Sequence, residues 1–148
     1  MRVTINEDVC EGIFRILFST IFLGLGMEHL FSDALIQKMM PEFMPFKRFL
    51  SISCGIVLLA GGGMVFLGYR TKLAAIILGV FLIVVSISIH LPYVFSYPEI
   101  VPKNSEWLWD IYQRSNLVKN LCLLGVCFHL LYHEPKRFSL TDYLKKDA

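Results

Sequence analysis

The sequence predicts an all-α integral membrane protein folded as an antiparallel four-helix bundle. The chain has 148 residues, of which 55% are hydrophobic and 18% charged, and its mean hydropathy is +0.60. This apolar share exceeds that of ordinary soluble domains and is typical of membrane proteins. The apolar residues are concentrated in four runs, at 12–31, 49–68, 73–95 and 117–132. We therefore expect a single four-span domain over residues 1–148 that ends in a basic tail at 133–148.

Each of the first three runs is long enough to cross a bilayer, since a spanning helix needs about 20 predominantly apolar residues. The fourth is shorter, but Trp107, Trp109 and Tyr112 precede it and could begin the helix at the headgroup layer. Only residues 69–72 separate the second and third runs, which forces a helical hairpin. The loops at 32–48 and 96–115 contain prolines, so we expect turns or short interfacial helices there.

The distribution of charge predicts the orientation of the bundle. An even number of spans places both termini on one side, and Arg70, Lys72 and Lys136 lie near helix ends on that side. The positive-inside rule therefore predicts cytoplasmic termini. Arg15, about one turn into the first run, is expected to snorkel to the headgroups or to pair with the fourth helix. The formal net charge of +2 and the absence of a basic run with interleaved aromatics argue against nucleic acid as a partner.

Small and polar residues recur along three runs at helical spacing, and we expect these stripes to face inward. Small residues let helix backbones approach closely in lipid, where packing and interhelical hydrogen bonds replace the hydrophobic drive. We expect the glycine run 61–63 to serve such close contact, or a slight kink. The stripes are Thr20, Gly24 and Glu28 in the first run, Ser51, Gly55 and Gly62 in the second, and Ala75, Gly79, Ser86 and His90 in the third.

Ionisable residues within the runs fall at one end of the predicted bundle, because successive spans run in opposite directions. Such residues are costly in hydrocarbon and mark candidate functional sites. We assign catalytic roles to Glu28 as a proton acceptor, His90 as a relay and Lys119 as the group that stabilises an anionic oxygen. The candidate ligand-binding residues are His29, Ser51, Cys54, Ser86 and Asn120.

Several of these residues also have structural interpretations. Glu28 could be a solvated interfacial carboxylate, and His90 could bond to Glu28 or to a backbone carbonyl. Zinc-competent side chains are present, but no tight ligand spacing supports a metal site, and we predict none. His29 and His90 could clamp a haem, which we favour even less than zinc. The four cysteines form no C-x-x-C pair, so dithiol chemistry within the chain is not expected.

Two motifs, Gly26-Met27-Glu28-His29-Leu30 and Ile89-His90-Leu91-Pro92, give the chain a family resemblance. Together with the Met-Pro-Glu-Phe-Met-Pro segment at 40–45, the glycine-rich second run and Lys119-Asn120-Leu121 in the last, they resemble the DoxX family of small four-helix bacterial membrane proteins. The likeness extends over about residues 13–132.

This resemblance implies a bacterial cytoplasmic (inner) membrane protein that works as a redox-associated subunit. DoxX-like proteins include subunits associated with quinone-linked thiosulfate oxidation and with membrane redox or thiol-stress assemblies. The expected ligand is a quinone or another lipophilic small molecule. The expected partners are membrane lipids and either a redox subunit or a second copy of the chain. The alternative is a non-catalytic adaptor or assembly subunit whose polar cluster only locks the helices together.

Overall fold

The structure, a computed structural model, describes residues 6–98, 101–133, 135 and 139–146. It confirms the predicted all-α class, because four long apolar segments pack together, each long and apolar enough to cross a membrane. The third segment contains a π-helical turn, Ser86–His90, and the fourth begins with a 3₁₀ turn, Lys103–Ser105. The helices are α1 (Glu7–Phe31), α2 (Asp33–Met39), α3 (Lys47–Leu67), α4 (Thr71–Val85), α5 (Leu91–Phe95), α6 (Glu106–Tyr132) and α7 (Leu140–Lys146).

Two of the predicted boundaries need correction. The first helix begins at Glu7 rather than at residue 12, because the Asn6 side chain accepts hydrogen bonds from the backbone N–H groups of Asp8 and Val9. Such a cap stabilises the helix start, as does the acidic first turn. The predicted loop at 96–115 is wrong for residues 106–115, which belong to α6. The aromatic segment thus begins the last helix, and the shorter loop at 32–48 contains α2, as expected.

Close contact between glycines fixes the crossing of α1 and α3. A Cβ built on Gly26 would lie 3.1 Å from the carbonyl oxygen of Gly55, and one built on Gly55 would lie 3.0 Å from Cβ of His29. Larger residues at either position would push the helices apart, as expected where small residues line a membrane-helix interface. The crossing brings His29 on α1 close to α3.

The glycine run on α3 serves close contact, as expected. A Cβ on Gly61 would lie 2.6 Å from Cδ2 of Leu78 on α4, and one on Gly62 would lie 3.0 Å from Cβ of Phe22 on α1. Gly63 faces open space. Two of the three glycines therefore hold α3 between its neighbours, and the core lies around them.

The predicted inward stripes are correct for α3 and α4 but wrong for α1. Thr20, Gly24 and Glu28 are exposed. The face that α1 buries carries Phe18 and Phe22, which enter the core of the bundle. Aromatic side chains bury far more apolar surface than threonine or glycine, so they decide which face turns inward. The Thr20 hydroxyl is satisfied locally by donating to the carbonyl oxygen of Ile16, at 2.7 Å.

Of the two predicted alternatives for Arg15, snorkelling to the headgroups is wrong, since only 3% of its surface is exposed. Its Nε lies 3.6 Å from Oε1 of Glu11, and His133 Nε2 lies 2.8 Å from the other carboxylate oxygen. A Cβ on Gly68 would collide with the Arg15 guanidinium, so the turn after α3 closes directly over it. A carboxylate neighbour and a covering turn together explain why this cation remains inside the protein.

The described part of the C-terminal tail folds back onto the bundle. Thr141 Oγ1 donates a 2.8 Å hydrogen bond to the carbonyl oxygen of Gly68, and Ser139 is buried. Helix α7 therefore packs at the end of the bundle that also holds the turn between α3 and α4. Lys136 and Arg137 of the predicted basic tail lie outside the described residues.

Candidate functional site

A cavity of about 330 Å³ lies at the end of the bundle opposite α7. Most of its wall is apolar, and residues of α1, α2, α3, α4 and α6 contribute to it. Six of the eight predicted site residues line this one cavity, while Ser51 and Ser86 lie outside its wall. The six are Glu28, His29, Cys54, His90, Lys119 and Asn120. The sequence therefore predicts where the polar side chains converge, and their roles stay predictions.

His90 is held by a residue that the sequence interpretation missed. Its Nδ1 lies 2.8 Å from Oε1 of Gln113 on α6, instead of bonding to Glu28 or to a backbone carbonyl. Because a side-chain carbonyl oxygen only accepts, Nδ1–H is the donor, and in the neutral ring Nε2 becomes the acceptor. Among the described residues, no hydrogen bond involves this Nε2. The imidazole thus retains a basic nitrogen for a ligand or a proton.

The π-helical turn sets the position of His90 on its helix. Pro92 lacks an N–H and would clash with the carbonyl of Ser88 in a regular α-helix. The turn widens so that the Leu91 N–H bonds to the carbonyl oxygen of Ser86. Such widened turns occur mostly as single turns within α-helices, frequently at functional sites. The His-Leu-Pro motif therefore has a physical role, since the proline provides the widening that accommodates the histidine.

His29, on the opposite wall, is also held by a hydrogen bond from its Nδ1 to a buried polar side chain. Ser51 Oγ donates to the carbonyl oxygen of His29 at 3.3 Å and lies 3.1 Å from His29 Nδ1. The hydroxyl has only one hydrogen, so Nδ1–H donates to the hydroxyl oxygen, and Nε2 is the acceptor in the neutral ring. Ser51 is fully buried. It therefore orients His29 from behind, just as Gln113 orients His90.

Two further polar pairs involve α6, one between helices and one within α6 itself. Asn120 Nδ2 donates to Ser86 Oγ at 3.2 Å, which joins α6 to the π-helical turn. Lys119 Nζ donates to Asn116 Oδ1 at 2.7 Å, and both residues line the cavity. The Nδ2 of Asn116 is buried and has no partner among the described residues. A buried donor without an acceptor is costly, so this amide is suited to a ligand oxygen.

Glu28 and Cys54 complete the polar lining. Glu28 is exposed, although it lines the cavity, and it lies three residues before the end of α1. Cys54 is half-buried, and all four cysteines are free thiols. Within the described ranges, no group of three or more His, Cys, Asp or Glu side chains is placed to hold a metal ion. The lining offers amide and ammonium donors and imidazole acceptors, which suits an organic ligand with oxygen atoms.

The polar cavity residues missed by the sequence interpretation lie on α6, in or directly after the segment that was predicted as loop. Tyr112 and Gln113 fall in that segment, and Asn116 follows it directly. A signal was available, because Gln113, Asn116 and Asn120 are spaced by three and four residues and so share one face of a helix. That spacing becomes informative only once the helix is extended back to Glu106.

Comparison with protein-family models matches the DoxX family over residues 12–91. The matched segment includes the cavity residues Glu28, His29, Cys54 and His90, whereas α6 lies beyond it, so the likeness noted at Lys119 and Asn120 is not part of the match. Searches of curated proteins and of solved structures found no match. Because the matched segment covers more than half of the chain, this multi-pass membrane protein belongs to the DoxX family.

Proposed function

We propose that the cavity binds a quinone-like lipophilic small molecule and that the protein serves as a redox-associated subunit of a bacterial inner membrane, with both termini cytoplasmic. The observation that carries this proposal is the combination of an apolar wall with a few converging polar groups in about 330 Å³. Ligand pockets typically have volumes of roughly 300–1,000 Å³ and the same kind of lining. The apolar wall suits a ring, and the polar groups suit its oxygen atoms.

Each polar side chain of the cavity has its own proposed role. Asn116 Nδ2 and Lys119 Nζ are donors, and they would bind and orient the oxygen atoms of the ligand. His90 Nε2 is an acceptor and would take a proton from a ligand hydroxyl. Glu28, which is exposed near the end of α1, would pass that proton on. That hydroxyl belongs to the reduced, quinol form of the ligand, whose oxidation to the quinone would release two protons and two electrons. A partner subunit would accept the electrons, since the cysteines of this chain are free thiols and form no redox pair.

The proposal is tested by identifying what the purified protein retains. We expect mass spectrometry of small molecules released from gently solubilised protein to detect a quinone, and the absorption spectrum to show its ultraviolet band. A His90→Leu variant that remains folded should lose the molecule, while His129→Leu, changed at the opposite end of the bundle, should keep it. Release of the same molecule from both variants, or of none from the parent, would contradict the proposal.

The alternative function is a non-catalytic adaptor, and the interhelical hydrogen bonds favour it. His29–Ser51, His90–Gln113 and Asn120–Ser86 each join two different segments of the bundle. In lipid such bonds contribute to helix association. An adaptor predicts that substitutions at these residues lower thermal stability with no change in ligand content, and that a partner chain co-purifies with the protein. Variants as stable as the parent, with no partner recovered, would exclude the adaptor.

A further inference from the structure

The end of the bundle opposite the candidate site contains a second and larger groove. Its volume is about 930 Å³, and it lies between the start of α4, the end of α6 and α7. Arg70, Lys72 and Lys145 contribute positive charge to its wall. Among the described residues of the lining, Asp142 is the acid, and its carboxylate accepts a 2.8 Å hydrogen bond from Lys146. The groove therefore presents basic side chains to any molecule that enters it.

The position of the groove along the spans corresponds to the headgroup layer. One wall begins at Thr71, where the third span starts, and another includes Tyr132, where the fourth span ends. Tyr132 is 90% exposed. Tyrosine is enriched at the membrane interface, where its ring lies among the headgroups. A basic groove at this depth faces the phosphate groups of lipids.

An apolar groove lies next to the basic groove on the same two helices, since Leu131 lines the apolar groove and Tyr132 the basic one. It encloses about 140 Å³ and is lined by α4 and α6, with Ala75 and Gly79 leaving the space that larger side chains would fill. Ile76 in this groove lies one helical turn from Lys72 in the basic groove, a rise of about 6 Å. Val80 in its wall is 56% exposed, so the groove opens outward.

We propose that these two grooves bind an anionic phospholipid, with its headgroup in the basic groove and an acyl chain in the apolar groove between α4 and α6. The guanidinium of Arg70 and the ammonium groups of Lys72 and Lys145 bind the phosphate and favour a headgroup with no cation of its own. A choline or ethanolamine headgroup brings a positive charge next to these side chains and binds more weakly. The apolar groove distinguishes a lipid from free phosphate, which has nothing to place there.

Native mass spectrometry of the full chain in neutral detergent tests this site. The protein is incubated with equal amounts of phosphatidylglycerol and phosphatidylcholine that carry identical acyl chains, so that only the headgroup differs. We expect phosphatidylglycerol to be retained at least about fivefold more than phosphatidylcholine, since each basic residue near the headgroups contributes roughly this factor. Equal retention of both lipids by the parent protein would overturn the proposal.

Matched variants assign the preference to the residues of the two grooves. Arg70→Asn combined with Lys72→Gln should reduce the headgroup preference roughly fivefold for each removed charge, and asparagine tolerates the left-handed backbone of residue 70, where φ is 44°. Lys145→Gln, on the exposed face of α7, repeats the test without altering the turn. The double variant Lys38→Gln/Lys103→Gln, changed at the opposite end, should leave the preference intact. A preference that survives the groove variants contradicts the proposal.

A separate pair of variants tests whether an acyl chain binds in the apolar groove. Val80→Trp fills the apolar groove from outside and should lower retention of both lipids severalfold, whereas Val84→Trp, equally exposed but outside the groove, should not. Excess inorganic phosphate is added in a parallel sample. If inorganic phosphate displaces the bound lipid as effectively as phosphatidylglycerol does, the site is not a lipid site. The same conclusion follows if the Val80→Trp and Val84→Trp variants retain equal amounts of lipid.

Discussion

Nδ1 of His90 lies 2.8 Å from the side-chain oxygen of Gln113, and this bond joins the π-helical turn of the third span to the first half of α6. Gln113 is only 2% exposed, so water does not replace it as the partner of the ring. The amide therefore fixes both the orientation of the imidazole and the nitrogen that carries its proton. The opposite nitrogen, Nε2, is the basic atom that the proposed function requires.

Replacing Gln113 by leucine should destabilise the protein by about 1–3 kcal/mol, because the Nδ1–H of His90 then lacks its acceptor. Thermal unfolding followed by circular dichroism measures the effect. Gln37→Leu is the matched control, since Gln37 bonds to Asp33 within its own short helix. If both leucine variants unfold at the temperature of the parent, the hydrogen bond between Gln113 and His90 does not contribute to the stability of the protein.

Ser51→Ala should also cost about 1–3 kcal/mol, because the fully buried hydroxyl bonds to both the ring and the carbonyl oxygen of His29. Ser53→Ala, two positions further along α3 and partly exposed, provides the comparison. The same thermal melts report both changes. Equal unfolding temperatures for the two alanine variants would show that Ser51 does not fix His29.

The glycines of α3 give a test of the packing. Gly61→Ala should destabilise the bundle, because the new Cβ would lie 2.6 Å from Cδ2 of Leu78, a fully buried side chain that would have to shift within the core. Gly63→Ala faces open space and should be neutral or stabilising by up to about 1 kcal/mol, since alanine favours helix. Unfolding in a denaturing detergent ranks the two variants. The reverse ranking would contradict the helix contacts described.

Gly68→Ala should be among the most destabilising small changes in the chain. The backbone of Gly68 has φ of 64°, a left-handed conformation that costs a residue with a Cβ about 1–2 kcal/mol. The added carbon would also collide with the Arg15 guanidinium and lie 2.6 Å from Cβ of Ser139. We expect a loss above 2 kcal/mol in thermal unfolding, roughly the conformational cost plus a steric cost. An unchanged melting temperature would mean that α7 and Arg15 do not pack on this turn.

The fold was predictable from sequence because its signals are long and repeated. Four apolar runs define the spans, and alternation of direction places Glu28, His90 and Lys119 at one end. Two features could not be predicted from sequence: which face of a helix is buried, and where a helix begins. Phe18 and Phe22 outweigh the Thr20 stripe through their larger apolar area, and the polar aromatic start of α6 resembles an interfacial loop. Gln113 and Asn116 were missed for that second reason.

Tryptophan fluorescence shows whether the cavity binds a quinone-like molecule through His90 and Asn116. The chain has two tryptophans, and Trp109 packs against Tyr112 of the cavity wall with ring centroids 5.9 Å apart. In a Trp107→Phe background, Trp109 is the sole reporter, and titration with a short-chain ubiquinone analogue should quench it saturably. His90→Leu or Asn116→Leu should weaken the apparent Kd about tenfold, equivalent to about 1.4 kcal/mol, while His129→Leu leaves it unchanged. Quenching that is linear in quinone and identical in all these proteins would contradict the account.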